Sequence, residues 1–139
     1  MTTFTSAPGA ALLGVPAHST DDLIHAVTQG VPTAVIDRLS RSMGLSRSEV
    51  LSLIGLSPRT YARRLTEGRL SPEESERAAR VARVLEAAHA SFGPDRARSW
   101  LETPWPALNH HTPLAYTRTD LGAAAVLDLI AALEEGIFV

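Results

Sequence analysis

The sequence predicts an all-α fold, on three observations. Apolar residues recur at helical spacing, serine- or threonine-led caps stand ahead of proline or glutamate, and glycine closes most of the periodic segments. No stretch of useful length alternates apolar and polar residues as a half-buried strand requires. The chain has 139 residues, 45% of them hydrophobic, enough to bury a real core.

Taken in order, residues 1–19 are rich in Thr, Ser, Ala, Pro and Gly and read as a flexible N-terminal segment in which Leu12 to Val15 docks. Thr20 is expected to cap a short helix that ends at Gly30. Pro32 punctuates, and a helix over 33–43 places Val35, Ile36 and Leu39 on one side before Gly44 stops it. Ser46 and Glu49 then have capping-box spacing, with Leu45 and Val50 at the staple positions. Gly55 breaks that helix. Ser57 caps the next, Pro58 takes the first helical position where its missing N–H costs nothing, Leu56 staples onto Tyr61, and Gly68 closes it.

The pair of short helices from Leu45 to Gly68 has the pattern of a helix-turn-helix, which points to DNA. Tyr61, Ala62 and Leu65 are expected to face inward, leaving the rows Arg59/Arg63 and Thr60/Arg64 outward at i,i+4 spacing. Arginine offers a planar fork for phosphate or guanine edges, and the second helix of such motifs leads with its N-terminal residues. The expected DNA-binding residues are therefore Arg47, Ser57, Arg59, Thr60, Arg63 and Arg64.

Ser71-Pro72-Glu73-Glu74 repeats the cap, proline and capping-box pattern and starts a long helix to about residue 90, with Ala78, Val81, Ala82, Leu85 and Ala88 as its stripe. On its outer face the spacing predicts ion pairs Glu73–Arg77 and Glu76–Arg80. Gly93-Pro94 ends it. A helix over 95–101 follows, then a proline- and tryptophan-rich loop and a second cap-proline pair at Thr112-Pro113. Thr119 caps a last helix over 120–135, with Gly136 at its end; this helix is more apolar than a surface helix needs. Ile137-Phe138-Val139 either packs into the chain's own core or anchors in a partner's pocket.

Net charge is −2, but residues 1–37 carry three acids and no base, 38–98 twelve arginines against seven acids, and 99–139 one arginine against five acids. Local balances of −3, +5 and −4 put the basic charge on the helix-turn-helix region and leave the C-terminal third acidic, which implies two faces for two partners. Cysteine is absent, which excludes disulfides and thiolate metal sites and fits a cytoplasmic protein. No apolar run approaches a membrane-spanning length. His110-His111 with Asp120 lacks the spaced ligand set of a metal site, and no nucleophile motif or phosphate loop occurs. No catalytic residue, metal or cofactor is expected.

Several segments together make the chain similar to the Xre/MbcA/ParS family of antitoxins. These are Gly30-Val31-Pro32, Leu45-Ser46-Arg47, Ser57-Pro58-Arg59-Thr60, and the run from Arg69-Leu70-Ser71-Pro72 to Ser75. They continue in a C-terminal signature of Trp100-Leu101, Pro104, Leu108, Thr112-Pro113-Leu114, Thr119, Gly122, Val126, Leu133 and Gly136. One departure is visible: Asn109 and His110 stand where the family has glycines, and asparagine tolerates the left-handed backbone that glycine supplies.

The resemblance implies an Xre-like domain over 20–92 for dimerisation and operator binding, and a toxin-binding domain over 93–139. The implied partner is a cognate RES-domain toxin, of a class that resembles ADP-ribosyltransferases and degrades NAD or modifies a protein. A homodimer, a larger assembly with toxin, and autorepression of a type II toxin–antitoxin operon come with it. The residues it assigns to the toxin are Trp100, Trp105, Leu108, Tyr116, Leu133, Glu135, Ile137, Phe138 and Val139. A stand-alone helix-turn-helix transcription regulator without a toxin is the alternative, separated from the antitoxin by whether a RES-domain gene lies next door.

Overall fold

A computed structural model describes residues 7–136. Among them the chain is all-α: α1 (Ala10–Leu13), α2 (Thr20–Gln29), α3 (Val35–Met43), α4 (Arg47–Ile54), α5 (Pro58–Glu67), α6 (Pro72–Phe92), α7 (Pro94–Leu101), a 3-10 turn (Pro106–Leu108), α8 (Pro113–Tyr116) and α9 (Asp120–Glu134). None of the described helices is long and apolar enough to cross a membrane.

α6 is the centre of the fold. Ala78, Ala79, Val81, Ala82, Val84, Leu85 and Ala88 are all buried on it, and α1, α2, α3, α4, α7 and α9 pack around it. The N-terminal side supplies Val35, Ile36, Leu39, Val50, Leu51, Leu53 and Ile54, and the C-terminal side Ala97, Leu101, Ala123, Val126 and Ile130, to one continuous apolar cluster. A fully buried Val, Leu or Ile side chain is worth about 1.5–3 kcal/mol relative to exposure, so each helix is held chiefly by what it lays on α6.

The local signals place the ends well. Ser46 and Ser71 both form complete capping boxes with Glu49 and Glu74, and Ser57, Thr112 and Thr119 each accept from the backbone three residues on. One cap moves by a residue: Ser19, not Thr20, is extended and accepts from the Asp22 backbone, because Asp22 in turn reaches back to the His18 N–H. α3 begins at Val35 rather than 33, since Pro32 and Thr33 belong to a crossing segment. In it Leu70 N–H donates to the Val31 carbonyl at 2.9 Å, Val31 N–H to Ser75 Oγ at 2.9 Å, and Arg69 Nη1 to the Gly30 carbonyl at 2.9 Å. Gly30 has φ 90°, and a Cβ there would stand 2.4 Å from the Leu70 carbonyl oxygen, so only glycine lets the two segments cross.

Residues 7–19, expected to be flexible, follow a defined course. Leu13 is buried against the main core, Ala7, Ala10 and Ala17 make a small second cluster, and Gly9 N–H donates to Glu86 on α6 at 3.1 Å. The predicted surface pairs on α6 do not form. Arg77 turns to the Ile54 carbonyl at the end of α4, and Arg80 spans to Asp120 at 2.7 Å and to the Arg118 carbonyl at 3.0 Å. Tertiary partners with oxygens already fixed in place outcompete a flexible glutamate one turn away, whose pairing is worth only about 0.3–0.5 kcal/mol.

α5 also differs from expectation. Only Tyr61 of its expected inner face is buried; Ala62 and Leu65 are exposed. The helix is secured instead by Arg64, whose side chain is 17% exposed and grips Glu74 through Nε at 2.8 Å and Nη2 at 3.0 Å, with Nη1 on Glu67 at 3.1 Å. Burial alone would push the Glu74 carboxyl up, but hydrogen bonds from Arg64 and Ser71 and the charge of Arg64 overcome it, and the carboxyl titrates below its ordinary value.

At the far end of the molecule Asn109 and His110 both take positive φ, 55° and 64°, in the turn that closes Trp105 onto His111. Asparagine here does what the sequence expected of it. His110 has no such chemistry, and a left-handed L-residue costs about 1–2 kcal/mol.

Two outcomes are expected. Because the folded pKa of Glu74 lies below its unfolded value, its stabilisation is complete above the unfolded carboxylate range and lost as pH falls through the folded pKa; urea unfolding from pH 7 to pH 3 will show wild type weakening more steeply than Glu74→Gln. His110→Gly will leave the melting temperature unchanged or raise it, by up to about 1 kcal/mol of stability after glycine's own entropic cost, whereas His110→Val will lower it in the same thermal melt.

Candidate functional site

Two faces carry the chemistry. The first is the helix-turn-helix. Gly55, at φ 72°, ends α4 with its N–H on the Leu51 and Ser52 carbonyls, Leu56 N–H closes onto the Leu51 carbonyl at 2.9 Å, and Leu56 is buried beneath the turn. Ser57 and Pro58 then launch α5 in a fixed direction. The Ser57 hydroxyl accepts from the Thr60 backbone at 3.1 Å and donates to the Thr60 hydroxyl at 3.0 Å, so these two polar groups rigidify the helix start.

Beside Ser57 and Thr60, the four arginines expected on DNA fall into three groups. Arg59 and Arg63 are exposed on one row of α5 and have no partner among the described residues, an arrangement open to an anion. Arg47 is half engaged: its fork rests on Asp37 at 3.0 and 3.1 Å and its guanidinium lies 5.8 Å from the Tyr61 ring centre, yet it stays largely exposed. The hydrogen bond and charge of Asp37 hold its pKa above the ordinary arginine value. Arg64 does not face outward. It serves the fold by holding Glu74, because the start of α6 brings a buried carboxylate within reach of a side chain one turn beyond the exposed N-terminus of α5.

The second face is the C-terminal module. Its frame is aromatic: the Phe92 and Trp100 rings stand 4.7 Å apart, Trp100 and Trp105 6.1 Å, and Trp105 Nε1–H donates to the Trp100 carbonyl at 3.0 Å. Trp100 is only 8% exposed and Leu108 2%. These two, expected on the toxin, are core residues instead; a large apolar side chain beside a tight proline turn is used to hold that turn. Trp105, Tyr116 and Leu133 are half-buried and Glu135 is exposed at the end of α9. Ile137, Phe138 and Val139 lie outside the described residues.

α8 is pressed against α9. A Cβ on Gly122 would stand 1.8 Å from the Tyr116 carbonyl oxygen, so glycine is required for that approach. The His111 ring lies 5.4 Å from the Tyr116 ring, and Leu121, beside them, is 87% exposed. Arg118 Nη2 donates to Ser52 Oγ on α4 at 3.0 Å, and Ser91 donates to Glu134, so polar ties join α9 and its approach to both α4 and α6. Sequence reasoning missed Leu121, Arg118 and the pairing of Arg64; only the last left any trace, in Glu74 already singled out as a capping residue. Among the described residues no cluster of three His, Asp or Glu converges as a metal ligand set would.

Residues 22–83 match the family described as antitoxin Xre-like helix-turn-helix domain, and 87–136 the antitoxin Xre/MbcA/ParS C-terminal toxin-binding domain. The chain is 38% identical over 129 residues to antitoxin Xre of Yersinia enterocolitica serotype O:8 / biotype 1B, spanning 91% of this chain and 87% of that one. It is 30% identical over 128 residues to antitoxin Xre of Photorhabdus laumondii subsp. laumondii, spanning 90% and 86%. A chain in the crystal structure of the M. tuberculosis MbcT–MbcA toxin–antitoxin complex superposes with a TM-score of 0.60 at 31% identity, over 77% of this chain and 96% of that one. Similarity at that level to two curated relatives over nine-tenths of this chain, with both halves matched in order, leads to one conclusion: the chain belongs to the Xre/MbcA/ParS family of antitoxins, with an Xre-like helix-turn-helix ahead of a toxin-binding domain.

Proposed function

We propose that this antitoxin neutralises a cognate RES-domain toxin by covering its active site with the end of α9 and the residues after it, and that it represses its own operon as a dimer through the helix-turn-helix. It performs no chemistry of its own. The observation that carries the reading is the rigid placement of α9. Gly122 and Thr119 fix its start, Arg80 holds Asp120, and Ser91 holds Glu134, so α9 is held at both ends as a strut. A covering segment that starts from a rigid strut loses less entropy on binding than a free one. The similarity to a chain of a solved toxin–antitoxin complex supports the same assignment.

On the DNA side, Arg59 and Arg63 supply two cations unpaired among the described residues on the exposed row of α5, with Arg47 at the start of α4. Phosphate contacts of this kind act through counterion release and therefore through salt dependence. A single such unit is small, and a toxin that links several antitoxins raises their effective concentration on a palindromic operator.

Two experiments test the halves separately. A variant lacking residues 137–139 is expected to protect cells from the toxin poorly while shifting operator DNA as wild type does; full protection would contradict the covering role. Arg59→Ala and Arg63→Ala are each expected to weaken binding to the gene's own upstream DNA and to lower the slope of log K against log salt by about 1, whereas Arg64→Ala acts first on the melting temperature.

A further inference from the structure

We infer that Asp37 is a built-in competitor for DNA phosphate: its carboxylate occupies the Arg47 fork, and DNA must displace it before Arg47 counts toward binding. This rests on the operator-binding reading and adds to it an acid on α3 that sets how tightly the helix-turn-helix holds DNA. The four arginines of the motif divide by what already occupies them. Arg59 and Arg63 have no partner among the described residues, and Arg64 is locked onto Glu74 with its side chain 17% exposed. Arg47 is the intermediate case. Its Nε and Nη2 both donate to Asp37 Oδ1, at 3.1 and 3.0 Å, while its side chain stays 58% exposed and that of Asp37 44%.

An open pair of this kind can exchange one oxyanion for another. Water reaches both groups, so parting them strands no buried charge, and phosphate oxygens offer a guanidinium fork the same acceptors as a carboxylate. Arg47 is also kept in place for the exchange. Its guanidinium lies 5.8 Å from the centre of the Tyr61 ring, and Tyr61 is the buried residue of α5, the helix whose exposed row carries Arg59 and Arg63. Asp37 keeps a cation beside it when Arg47 leaves: Arg41 stands one turn along α3, its Nε already on the Asp37 carbonyl at 3.4 Å, in the favourable acid-before-base order at i,i+4. Glu49, two residues beyond Arg47, is engaged by the Ser46 N–H in the capping box and does not compete for the fork. An exposed pair is favoured about two- to fivefold over its open form, so the competitor lowers DNA affinity by that factor and does not abolish it.

The test titrates the full chain against labelled DNA from upstream of its own gene, followed by fluorescence anisotropy across a salt series. Asp37→Asn and Asp37→Ala are each expected to tighten binding about two- to fivefold at low salt. In an Arg47→Ala background the same two changes are expected to have no effect, because no fork remains to be released. Thermal melts of the variants serve as the control: loss of an acid from the first turn of α3 lowers the melting temperature or leaves it unchanged, so destabilisation cannot produce the gain in affinity. A gain that persists in the Arg47→Ala background would overturn the competitor, leaving Asp37 as a charge that merely repels the DNA backbone. Equal affinity of wild type and both Asp37 variants would overturn it as well, while the operator reading stands on the binding itself. If wild type binds no upstream DNA, with or without its toxin, the operator reading fails and the competitor with it.

Discussion

The fold depends on covering one helix. α6 is 21 residues long, about 31 Å, and buries side chains on almost every turn, so neither face of it can be left to water. The helices before it cover part of its surface and those after it cover another part, and the two groups share one apolar cluster. What would be a linker between two domains in a looser protein is here the common core. The helix-turn-helix and the toxin-binding module are therefore two sides of one packed body.

The polar contacts follow the same geometry. At the start of α6, Glu74 closes the capping box with Ser71 and holds Arg64 of α5; in the middle, Arg77 and Arg80 reach α4 and the approach to α9; near the end, Ser91 meets Glu134. Each pair orients a helix that apolar packing alone would leave free to rotate. Arg118, anchored by its carbonyl on Arg80 and by its guanidinium on Ser52, runs directly from the toxin-binding module to the first helix of the helix-turn-helix.

Much of this was legible in the sequence because it is local. Ser46 with Glu49, Ser57 with Thr60, Ser71 with Glu74, and Thr119 with Gly122 each bond within three residues, so spacing along the chain settles their partners. The stripe from Ala78 to Ala88 was equally readable, since helical period fixes which side chains share a face. The partners of Arg64, Arg77 and Arg80 were not readable, because each choice depends on which distant carboxylate or carbonyl the packing delivers. The same limit explains Trp100 and Leu108: an apolar residue in a proline-rich segment looks alike in sequence whether it holds the turn or waits for a partner. Leu121 is the converse, an apolar residue at a helix start whose exposure only the placement of α8 decides.

The central claim is that α6 makes the two modules one cooperative unit. Both tryptophans, Trp100 and Trp105, lie in the C-terminal module, so their fluorescence reports that module alone while far-ultraviolet circular dichroism reports every helix. The most direct measurement is a thermal melt of the free antitoxin followed by both signals. The account predicts coincident transitions at one midpoint, with calorimetric and van't Hoff enthalpies equal; a tryptophan transition separated from the loss of helix would contradict it.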